Sequence, residues 1–490
     1  MNAAFPLVPW PTAVEPRDGE LAFPAAHVVS PEPLRWTLLA AELLTPLGVS
    51  VTGGGPEALA EGAPAPDGVV VELRLEDSAD RSAGGEAYVL DVRDDGITVT
   101  APEPAGLLHG LRTLRQLVTP RATVPTVVVR DAPRYPWRGL TLDIARHWFG
   151  PAVLRRVVDL AGSYKLRVLH LHLTDDQGWR LEIPSRPGLT ERSGRTQVGG
   201  EVPPGERGWL TVEEYRELQD YAAARFVEVV PEVDLPGHTN AATHAYGELR
   251  PDGLPTPLYG GIEVGFSQLW ADNPATEPFV RDVLGDVAAM TAGRYVHVGG
   301  DEALTLEAGE YARLVGLALD AVRAAGKTPA AWQEAATAAV EPGTVLQFWD
   351  PRADAAPLLR AAAAGARFIM SPASHAYCDM KYDADHPIGQ DWMGLVELRD
   401  AYGWEPSTAL PGLPPEAVEG VAAALWTETI VTTDHLFSML LPRLPALAEV
   451  AWTPPSGRDW ASFRARVAEH ARTWDAEGWA YHPTRQVAWP

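Results

Sequence analysis

Residues 167–177, RVLHLHLTDDQ, combine a short apolar run with polar side chains that follow it directly. The run is too short for a helix and is rich in Leu and Val, which favours a buried β-strand. Such runs are typical of parallel sheets, in which both faces of each strand are covered. A similar stretch, GLTLDIA at 139–145, precedes this run, and another, FVEVVPEV at 226–233, follows it. The three stretches therefore predict strands of one parallel sheet.

Strand and helix patterns alternate along the chain on both sides of residues 167–177. Eight βα units predict an α/β fold, a (β/α)8 or TIM barrel, with the excess length in loops at 184–210 and 248–275. The predicted strands are 139–145, 167–173, 226–233, 295–299, 328–333, 344–349, 366–370 and 420–426. The predicted helices are 151–164, 211–224, 276–291, 305–325, 353–364 and 433–448.

The residues before the barrel have a different pattern, with strands grouped around a tight turn. An Asp-Asp-Gly turn at 94–96 joins two strand-like runs and predicts a hairpin. Pro and Gly residues in DAPRYPWRG at 131–139 mark a boundary. We therefore expect a small α+β domain at 1–132 and a barrel catalytic domain at 133–490. The predicted elements of the first domain are strands at 69–76, 87–93, 97–101 and 123–130, and a helix at 104–118.

Composition excludes several classes of function. The formal net charge of −25 opposes binding to nucleic acid or to anionic membranes, which needs clustered Lys and Arg. The single cysteine, Cys378, excludes an intrachain disulfide and a multi-cysteine zinc site. The first residues, MNAAFPLVPWPTAVEP, contain no basic segment before an apolar run, so we expect a cytoplasmic location without a signal peptide.

Polar and aromatic clusters follow all eight predicted strands. Working residues of TIM barrels lie where the strands end, so these clusters are expected to form one site. The sharpest cluster is Asp301-Glu302 after Gly299-Gly300, because glycosidic cleavage requires carboxylates at one rim. The other clusters include Asp143 and Arg146, Asp175 and Asp176, Asp234 and His238, Trp332 to Glu334, Trp349 and Asp350, Ser371 to Asp379, and Trp426 to Glu428.

A metal-dependent hydrolase is the main alternative, because His170 and His172 form an HxH pair on a barrel strand. Metal hydrolases of this architecture usually carry that pair on the first strand, with Lys and His ligands on later strands. Here the pair is on the second strand, and a packing or hydrogen-bonding role is favoured. No serine-nucleophile motif and no nucleotide-binding glycine loop is present, so we expect neither a metal nor another cofactor.

Seven segments together resemble glycoside hydrolase family 20, the β-N-acetylhexosaminidases. Their order along 136–430 matches that of the family, and EAYVLDVRDDGITVTAPEPAGLLHGLRTLRQL at 86–117 resembles the small domain that precedes the family's barrel. The segments are RGLTLDIARHWF, VLHLHLTDDQGWRLEI, VPEVDLPGHTNAA, YVHVGGDEA, AAWQEA, SPASHAYCDMKYD and LWTET.

The resemblance implies a retaining, substrate-assisted exo-β-N-acetylhexosaminidase that acts on a carbohydrate with a terminal GlcNAc or GalNAc. The sugar's 2-acetamido group would attack the anomeric carbon and form an oxazolinium intermediate. Glu302 would be the general acid and base, Asp301 would orient the acetamido N–H, and Tyr377 would donate to its oxygen. Asp175 and His238 resemble the family's relay to the acid.

The same resemblance assigns the walls of the sugar pocket. Arg146, Asp379 and Glu428 match positions that bind the 3-, 4- and 6-hydroxyls, which implies release of one terminal sugar. Arg146 is preferred to Arg138 because Arg138 is expected to precede the first barrel strand. The aromatic walls would be Trp332, Trp349, Trp392 and Trp426.

Two other functions use the same scaffold. An enzyme that releases a disaccharide would need a more open pocket, which Arg146 and Glu428 argue against. A silent sugar-binding protein could lose the acid, yet Asp301 and Glu302 are both present. RGWLT at 207–211 replaces the family's usual Gly-Gly-Tyr-Tyr-Thr, so the preference for a leaving group stays open. Both a monomer and a homodimer are compatible with the sequence.

Overall fold

A computed structural model describes residues 5–60, 66–76, 84–338 and 340–490 of the chain. Its N-terminal part is a seven-stranded mixed sheet with two helices that contact each other and the sheet. The elements are β1 (Ala13–Ala22), β2 (Ala25–Val29), α1 (Pro33–Leu44), β3 (Ser50–Gly54), β4 (Val69–Leu75), β5 (Tyr88–Val92), β6 (Ile97–Ala101), α2 (Pro104–Leu117) and β7 (Thr123–Asp131). The strand order in the sheet is β1-β7-β5-β6-β4-β2-β3.

The hairpin predicted in this part is confirmed as β5 paired antiparallel with β6, and the predicted helix is α2. Four further elements of this part, β1, β2, α1 and β3, were not predicted. Strand β1 is an edge strand whose side chains are mostly exposed, and its pairing with β7 shifts register between Pro16 and Glu20. Charged residues and proline are typical of edge strands and hide the alternation that identifies a strand.

The eight predicted barrel strands all form and close into one parallel barrel in the order β12-β13-β14-β15-β16-β17-β8-β9. Each differs from its predicted bounds by one or two residues at an end. The barrel strands are β8 (Trp137–Asp143), β9 (Val168–His172), β12 (Glu228–Glu232), β13 (Tyr295–His297), β14 (Thr328–Trp332), β15 (Val345–Phe348), β16 (Arg367–Met370) and β17 (Val418–Leu425). A short hairpin, β10 (Thr196–Gln197) and β11 (Gly200–Glu201), lies in the loop after β9.

Helices follow the barrel strands and cover their outer faces. Five of the predicted helices are confirmed as α3, α5, α7, α8 and α9. The helices are α3 (Gly150–Ser163), α4 (Gly188–Ser193), α5 (Val212–Ala224), α6 (Asn240–Ala245), α7 (Thr276–Met290), α8 (Ala308–Ala324), α9 (Ala355–Ala363), α10 (Ala373–Ala376), α11 (Leu398–Tyr402), α12 (Thr433–Leu440), α13 (Arg443–Trp452), α14 (Trp460–Glu469) and α15 (Ala471–Glu477).

Two predictions about the barrel domain are wrong. The helix predicted at 433–448 is two helices, α12 and α13, because Pro442 lacks a backbone N–H and cannot continue a helix. Arg138 does not precede the first barrel strand but is the second residue of β8. Within the described residues, no helix is long and apolar enough to span a membrane.

The barrel interior is layered. Near the N-terminal ends of the strands it is closed by an apolar cluster that includes Val168, Val230, Ile369 and Ala422. The next residues inward along the strands are polar, among them His170 on β9 and Glu232 on β12. The apolar layer therefore separates a buried polar layer from solvent at the N-terminal end.

The N-terminal domain packs against the barrel near the start of its strands. Asp131 at the end of β7 pairs with Lys165 at 3.0 Å, and both side chains are buried. Glu86 contacts Arg138 on β8 and pairs with Arg167 just before β9 at 2.7 Å. These contacts lie at the end of the barrel opposite to the strand termini that carry the polar clusters.

Candidate active site

Asp301 and Glu302 lie on the loop that follows β13, at the C-terminal rim of the barrel. Gly299 and Gly300, which precede them, have φ angles of +70° and +106°, conformations that favour glycine. A Cβ atom at Gly299 would lie 1.8 Å from Oδ1 of Asp234. The two glycines therefore let the loop turn closely against Asp234 and present both carboxylates at the barrel mouth.

His238 connects this loop to the end of β9. Its Nδ1 atom lies 3.2 Å from Oδ1 of Asp175, and its Nε2 atom lies 3.5 Å from Oε2 of Glu302. The same Nε2 atom lies 3.8 Å from Oδ2 of Asp301. The loops after β9, β12 and β13 thus bring four of the predicted residues into one continuous array.

Burial and neighbouring charges set the ionisation of this array. Burial opposes ionisation of Asp175, but Arg146 and His238 outweigh it and hold the pKa of Asp175 well below its usual range. Burial also opposes the charge on His238, yet Asp175 raises the pKa of His238 well above its usual value. Burial raises the pKa of Asp301, and the charge of Glu302 adds to this shift. Asp175 and His238 therefore form a carboxylate–imidazolium pair whose outer end meets Glu302.

A cavity of about 280 Å³ opens beside the two carboxylates. Three of the predicted residues, Asp175, His238 and Trp332, lie under its lining and contact the residues that form it. The other nine line the cavity, namely Arg146, Asp301, Glu302, Trp349, Tyr377, Asp379, Trp392, Trp426 and Glu428.

Aromatic rings from four strand ends form the walls of the cavity. Tyr377 stacks nearly parallel on Trp349, with centroids 6.4 Å apart and planes 15° apart. Trp392 meets Trp349 edge to face at 5.8 Å, and Trp426 lies 6.2 Å from Tyr377. Trp332 is buried and tilts against Trp426 at 5.7 Å. Such rings offer apolar faces to the C–H groups of a sugar, and the Tyr377 hydroxyl supplies a polar group between them.

Three charged side chains, those of Arg146, Asp379 and Glu428, line the same cavity as these rings. Arg146 is buried, pairs with Asp175 at 2.8 Å and lies over the ring of Trp426. Among the described residues, Nε and Nη1 of Arg146, Oδ2 of Asp379 and Oε2 of Glu428 are buried without a hydrogen-bond partner. Buried polar atoms are nearly always hydrogen-bonded, so a group of unpaired donors and acceptors around one cavity indicates a polyhydroxylated ligand.

Burial opposes ionisation of the carboxyls of Asp379 and Glu428. It raises the pKa of Asp379 well above its usual value, and the charge of Glu428 adds to the shift. Burial also raises the pKa of Glu428, although Arg146 acts in the opposite direction. Carboxyls of this kind can both donate and accept hydrogen bonds, which suits sugar hydroxyls.

Glu334 is a site residue that the sequence placed at a strand end without a role. Both of its carboxylate oxygens lie 3.1 Å from Nε1 of Trp349. Burial raises the pKa of Glu334 to about 8, and the charge of Asp301 adds to the shift. Its position two residues after Trp332, at the end of β14, was the available signal.

Five further lining residues were not predicted. Four of them lie in long connections without periodicity, so neither a strand end nor a motif identifies these four. Arg352 has a partial signal, because it follows Trp349-Asp350 and its guanidinium lies 5.4 Å from the ring centroid of Trp392. The five residues are Ile262, Glu263, Val264, Arg352 and Gln390.

The predicted HxH pair does not face the cavity. Nε2 of His170 lies 2.9 Å from Glu232, and Nδ1 of His172 lies 3.0 Å from the same carboxylate. Nε2 of His172 lies 2.9 Å from Asp175. Nδ1 of His170 also lies 3.0 Å from the Thr141 hydroxyl, so each histidine has a hydrogen-bond partner inside the barrel, which is the role that the sequence favoured.

Comparisons with known proteins give the family. The model of "Glycosyl hydrolase family 20, catalytic domain" matches residues 135–313 and 310–455, and that of "Glycosyl hydrolase family 20, domain 2" matches residues 4–132. The chain belongs to glycosyl hydrolase family 20. The family resemblance of its strand-end motifs is confirmed, and the chain is a glycoside hydrolase.

The similarity of this family 20 chain to individual relatives covers nearly its whole length. A β-N-acetylhexosaminidase of Cellulomonas fimi is 51% identical over 99% of this chain and 97% of its own. The solved family 20 β-N-acetylhexosaminidase of Streptomyces coelicolor A3(2) is 40% identical, with a TM-score of 0.92 over 99% of both chains. A mutant Streptomyces plicatus β-hexosaminidase in complex with its product GlcNAc is also 40% identical, with a TM-score of 0.92 over 99% of this chain and 98% of that one.

Proposed function

We propose that this β-N-acetylhexosaminidase removes one terminal, non-reducing GlcNAc or GalNAc at a time and retains the configuration of the anomeric carbon. The convergence of Asp301, Glu302 and Tyr377 on one aromatic-walled cavity carries the proposal. The Streptomyces plicatus neighbour, whose structure holds GlcNAc, supports an N-acetylhexosamine as the occupant.

The proposed reaction has two displacements at one carbon. First, the carbonyl oxygen of the 2-acetamido group attacks the anomeric carbon while the bond to the leaving oxygen breaks. Glu302 donates its proton to that oxygen, and a cyclic oxazolinium intermediate forms. Water then attacks the same carbon and reopens the ring, and the Glu302 carboxylate accepts a proton from the water. Two inversions give net retention.

Asp301 and Tyr377 hold the acetamido group for this attack. Oδ1 of Asp301 is buried and has no hydrogen-bond partner among the described residues, so it is available to accept from the acetamido N–H. The buried Tyr377 hydroxyl donates to the acetamido oxygen. Fixing a nucleophile against the carbon it attacks gives a large proximity effect. The rings of Trp349, Trp392 and Trp426 exclude water from the intermediate.

The array behind Glu302 assists its two proton transfers. Asp175 holds His238 as an imidazolium, and Nε2 of His238 faces the Glu302 carboxyl. An imidazolium beside Glu302 stabilises the carboxylate that forms when the acid gives up its proton. His238 is therefore a partner of the acid and does not contact the sugar.

Three polar side chains of the cavity support exo action, that is, release of one sugar from the non-reducing end. Arg146, Asp379 and Glu428 have buried polar atoms with no partner in the described part of the chain, and these atoms suit the hydroxyls of one sugar ring. In this proposal the three side chains close the cavity on the non-reducing side, where a second sugar would otherwise extend. We therefore expect release of monosaccharide and no internal cleavage.

The test compares 4-nitrophenyl N-acetyl-β-glucosaminide with the plain β-glucoside, each with and without EDTA. Substrate assistance predicts hydrolysis of the N-acetyl substrate only, without an effect of the chelator. Equal rates on both sugars would contradict a role for the acetamido group, and loss of activity with EDTA would favour metal-assisted hydrolysis. The early product's anomeric configuration, read by ¹H NMR, tests retention.

A further inference from the structure

The Asp175–His238 pair does not end at Asp175 but continues into the barrel interior. His172 on β9 lies between two carboxylates, with Nε2 2.9 Å from Oδ2 of Asp175 and Nδ1 3.0 Å from Oε2 of Glu232. On its other side, Oε1 of Glu232 accepts a hydrogen bond of 2.7 Å from Nε1 of Trp332. The contacts form an unbroken path from a tryptophan under the sugar pocket to Glu302.

This extension is sealed from solvent. Glu232 has no exposed surface, and the side chains of His172 and Asp175 are at most 1% exposed. The apolar layer that includes Val168 and Val230 closes the barrel beneath them. A buried charge in such a place is costly unless it is paired, so the charges must be held in pairs.

The groups that face this extension determine its charge. Glu232 is held ionised: burial opposes this, but the facing histidines hold its pKa well below the usual range. Burial opposes a charge on His172, but Glu232 raises its pKa well above the usual value. Glu232 and His172 are faced by His170, His297, Asp234, Trp332, Arg146, Asp175 and Trp426. His238 is faced by five carboxyl groups, those of Asp175, Asp176, Asp234, Asp301 and Glu302.

We propose that Glu232 and His172 are positioning residues for the catalytic acid: the buried Glu232 carboxylate, paired with His172 across 3.0 Å, holds it as an imidazolium whose Nε2–H donates to Asp175 and so fixes Asp175 for His238. The proposal rests on the proposed roles of His238 and Glu302. Oδ2 of Asp175 is occupied by His172 and Arg146, which leaves Oδ1 for Nδ1 of His238.

The charge of His172 also determines how strongly Asp175 attracts the proton of His238. An imidazolium at His172 shares the negative charge of Asp175 and, as a nearby positive charge, opposes protonation of His238. Both effects have the same sign. Neutralising His172 therefore raises the pKa of His238 and locks its proton more tightly beside Glu302.

The first variant is Glu232→Gln. The amide oxygen of Gln can still accept from Trp332, and its N–H₂ can donate to Nδ1 of a neutral His172, so the packing is preserved. We expect kcat to fall about 10-fold, a part of the 10²–10⁴-fold that general acid–base catalysis contributes, because a neutral His172 holds Asp175 less firmly and His238 is then less well aimed at Glu302; KM should be nearly unchanged. In ¹⁵N-histidine NMR, His238 should lose its proton about half to one pH unit higher than in the native protein.

The matched control is Glu449→Gln. Glu449 is equally buried and paired, with Arg466 at 2.7 Å and the Tyr402 hydroxyl at 3.0 Å, but none of its partners belongs to the array. Its loss should lower the melting temperature without moving the His238 titration. A double variant with His172→Gln gives the second test, because Glu232→Gln should add no shift once His172 cannot carry the charge.

Each result decides between positioning and a merely structural role. A folded Glu232→Gln enzyme with an unchanged His238 titration, or with kcat and KM altered as in the control, would overturn the proposal. If the variant does not fold, the native protein still decides, because a neutral His172 at pH 7 contradicts the proposal and an imidazolium with two slowly exchanging N–H groups supports it. Failure to hydrolyse any N-acetylhexosaminide would overturn the proposed function, while the NMR measurements would still report on the array.

Discussion

Nε2 of His238 lies 3.5 Å from Oε2 of Glu302, and both residues have left-handed φ angles, 52° and 45°. Such angles are uncommon in non-glycine residues and cost about 1–3 kcal/mol each. Of the five non-glycine residues with positive φ in the described part of the chain, two therefore meet at this one contact. These strained conformations direct the loops after β12 and β13 toward each other.

The first prediction concerns the acid itself. Glu302→Gln keeps the size of the side chain but cannot donate or accept the proton, so activity should fall by at least about 10²–10⁴-fold. Hydrolysis of the aryl N-acetylglucosaminide measures the loss, and the melting temperature should stay close to that of the native protein. Glu263→Gln, which alters another carboxylate of the same cavity, should keep most of the activity. Near-native turnover by the Glu302 variant would refute its assignment.

The second prediction tests the glycine turn before the carboxylates. Gly299→Ala places a Cβ atom 1.8 Å from Oδ1 of Asp234 at a φ of +70°, so the loop must move. We expect a loss of more than about 1 kcal/mol in the free energy of unfolding and a large loss of activity. Gly316→Ala within α8 is the control, since nothing lies within 4 Å of its added Cβ atom. That change should leave activity intact, and equal effects of the two changes would show that the turn is not special.

The third prediction separates the hydroxyl of Tyr377 from its ring. Tyr377→Phe keeps the stacking on Trp349, so the melting temperature should change little. Removing a donor to a developing charge typically costs about 10²–10³-fold in kcat. Steady-state kinetics on the N-acetyl substrate measure this loss. A change in KM alone would show that the hydroxyl binds the sugar without assisting the attack.

The barrel strands were predictable because parallel strands are covered on both faces and read as short apolar runs that end in polar clusters. The same reasoning failed where a strand is exposed. Strand β1 includes Pro16, Asp18 and Gly19 and pairs only at the edge of its sheet, so its pattern resembles a loop. In the last predicted helix, apolar residues recur at helical spacing on both sides of Pro442, so periodicity alone does not reveal the break.

Within the site, residues at strand ends were predictable, and their deeper partners were not. Asp175 and His238 follow strands directly, whereas the contact of His172 with Glu232 depends on the register of β9 against β12. The lining residues Ile262 and Val264 lie in a long loop whose path no local pattern fixes. Sequence therefore identifies which residue types reach the rim, and three-dimensional packing decides which of them pair.

The last prediction uses the raised pKa of Glu334. At about 8 in the native state, it exceeds the ordinary value of 4.5. Between those two values the native carboxyl holds a proton that the unfolded chain has released. The free energy of unfolding contributed by this group therefore falls as pH rises through that window. Glu334→Gln cannot ionise, so its melting temperature relative to the native protein should be higher at pH 8 than at pH 5.

Glu334→Ala separates this charge effect from the support of Trp349. It also cannot ionise and should show the same pH trend in melting temperature. It removes the acceptor for Nε1 of Trp349, however, whereas the amide oxygen of Gln keeps it. We expect the Ala variant to have the higher KM of the two, because the tryptophan wall is then less well fixed. A melting-temperature difference between Gln variant and native protein that is the same at both pH values would contradict a protonated Glu334.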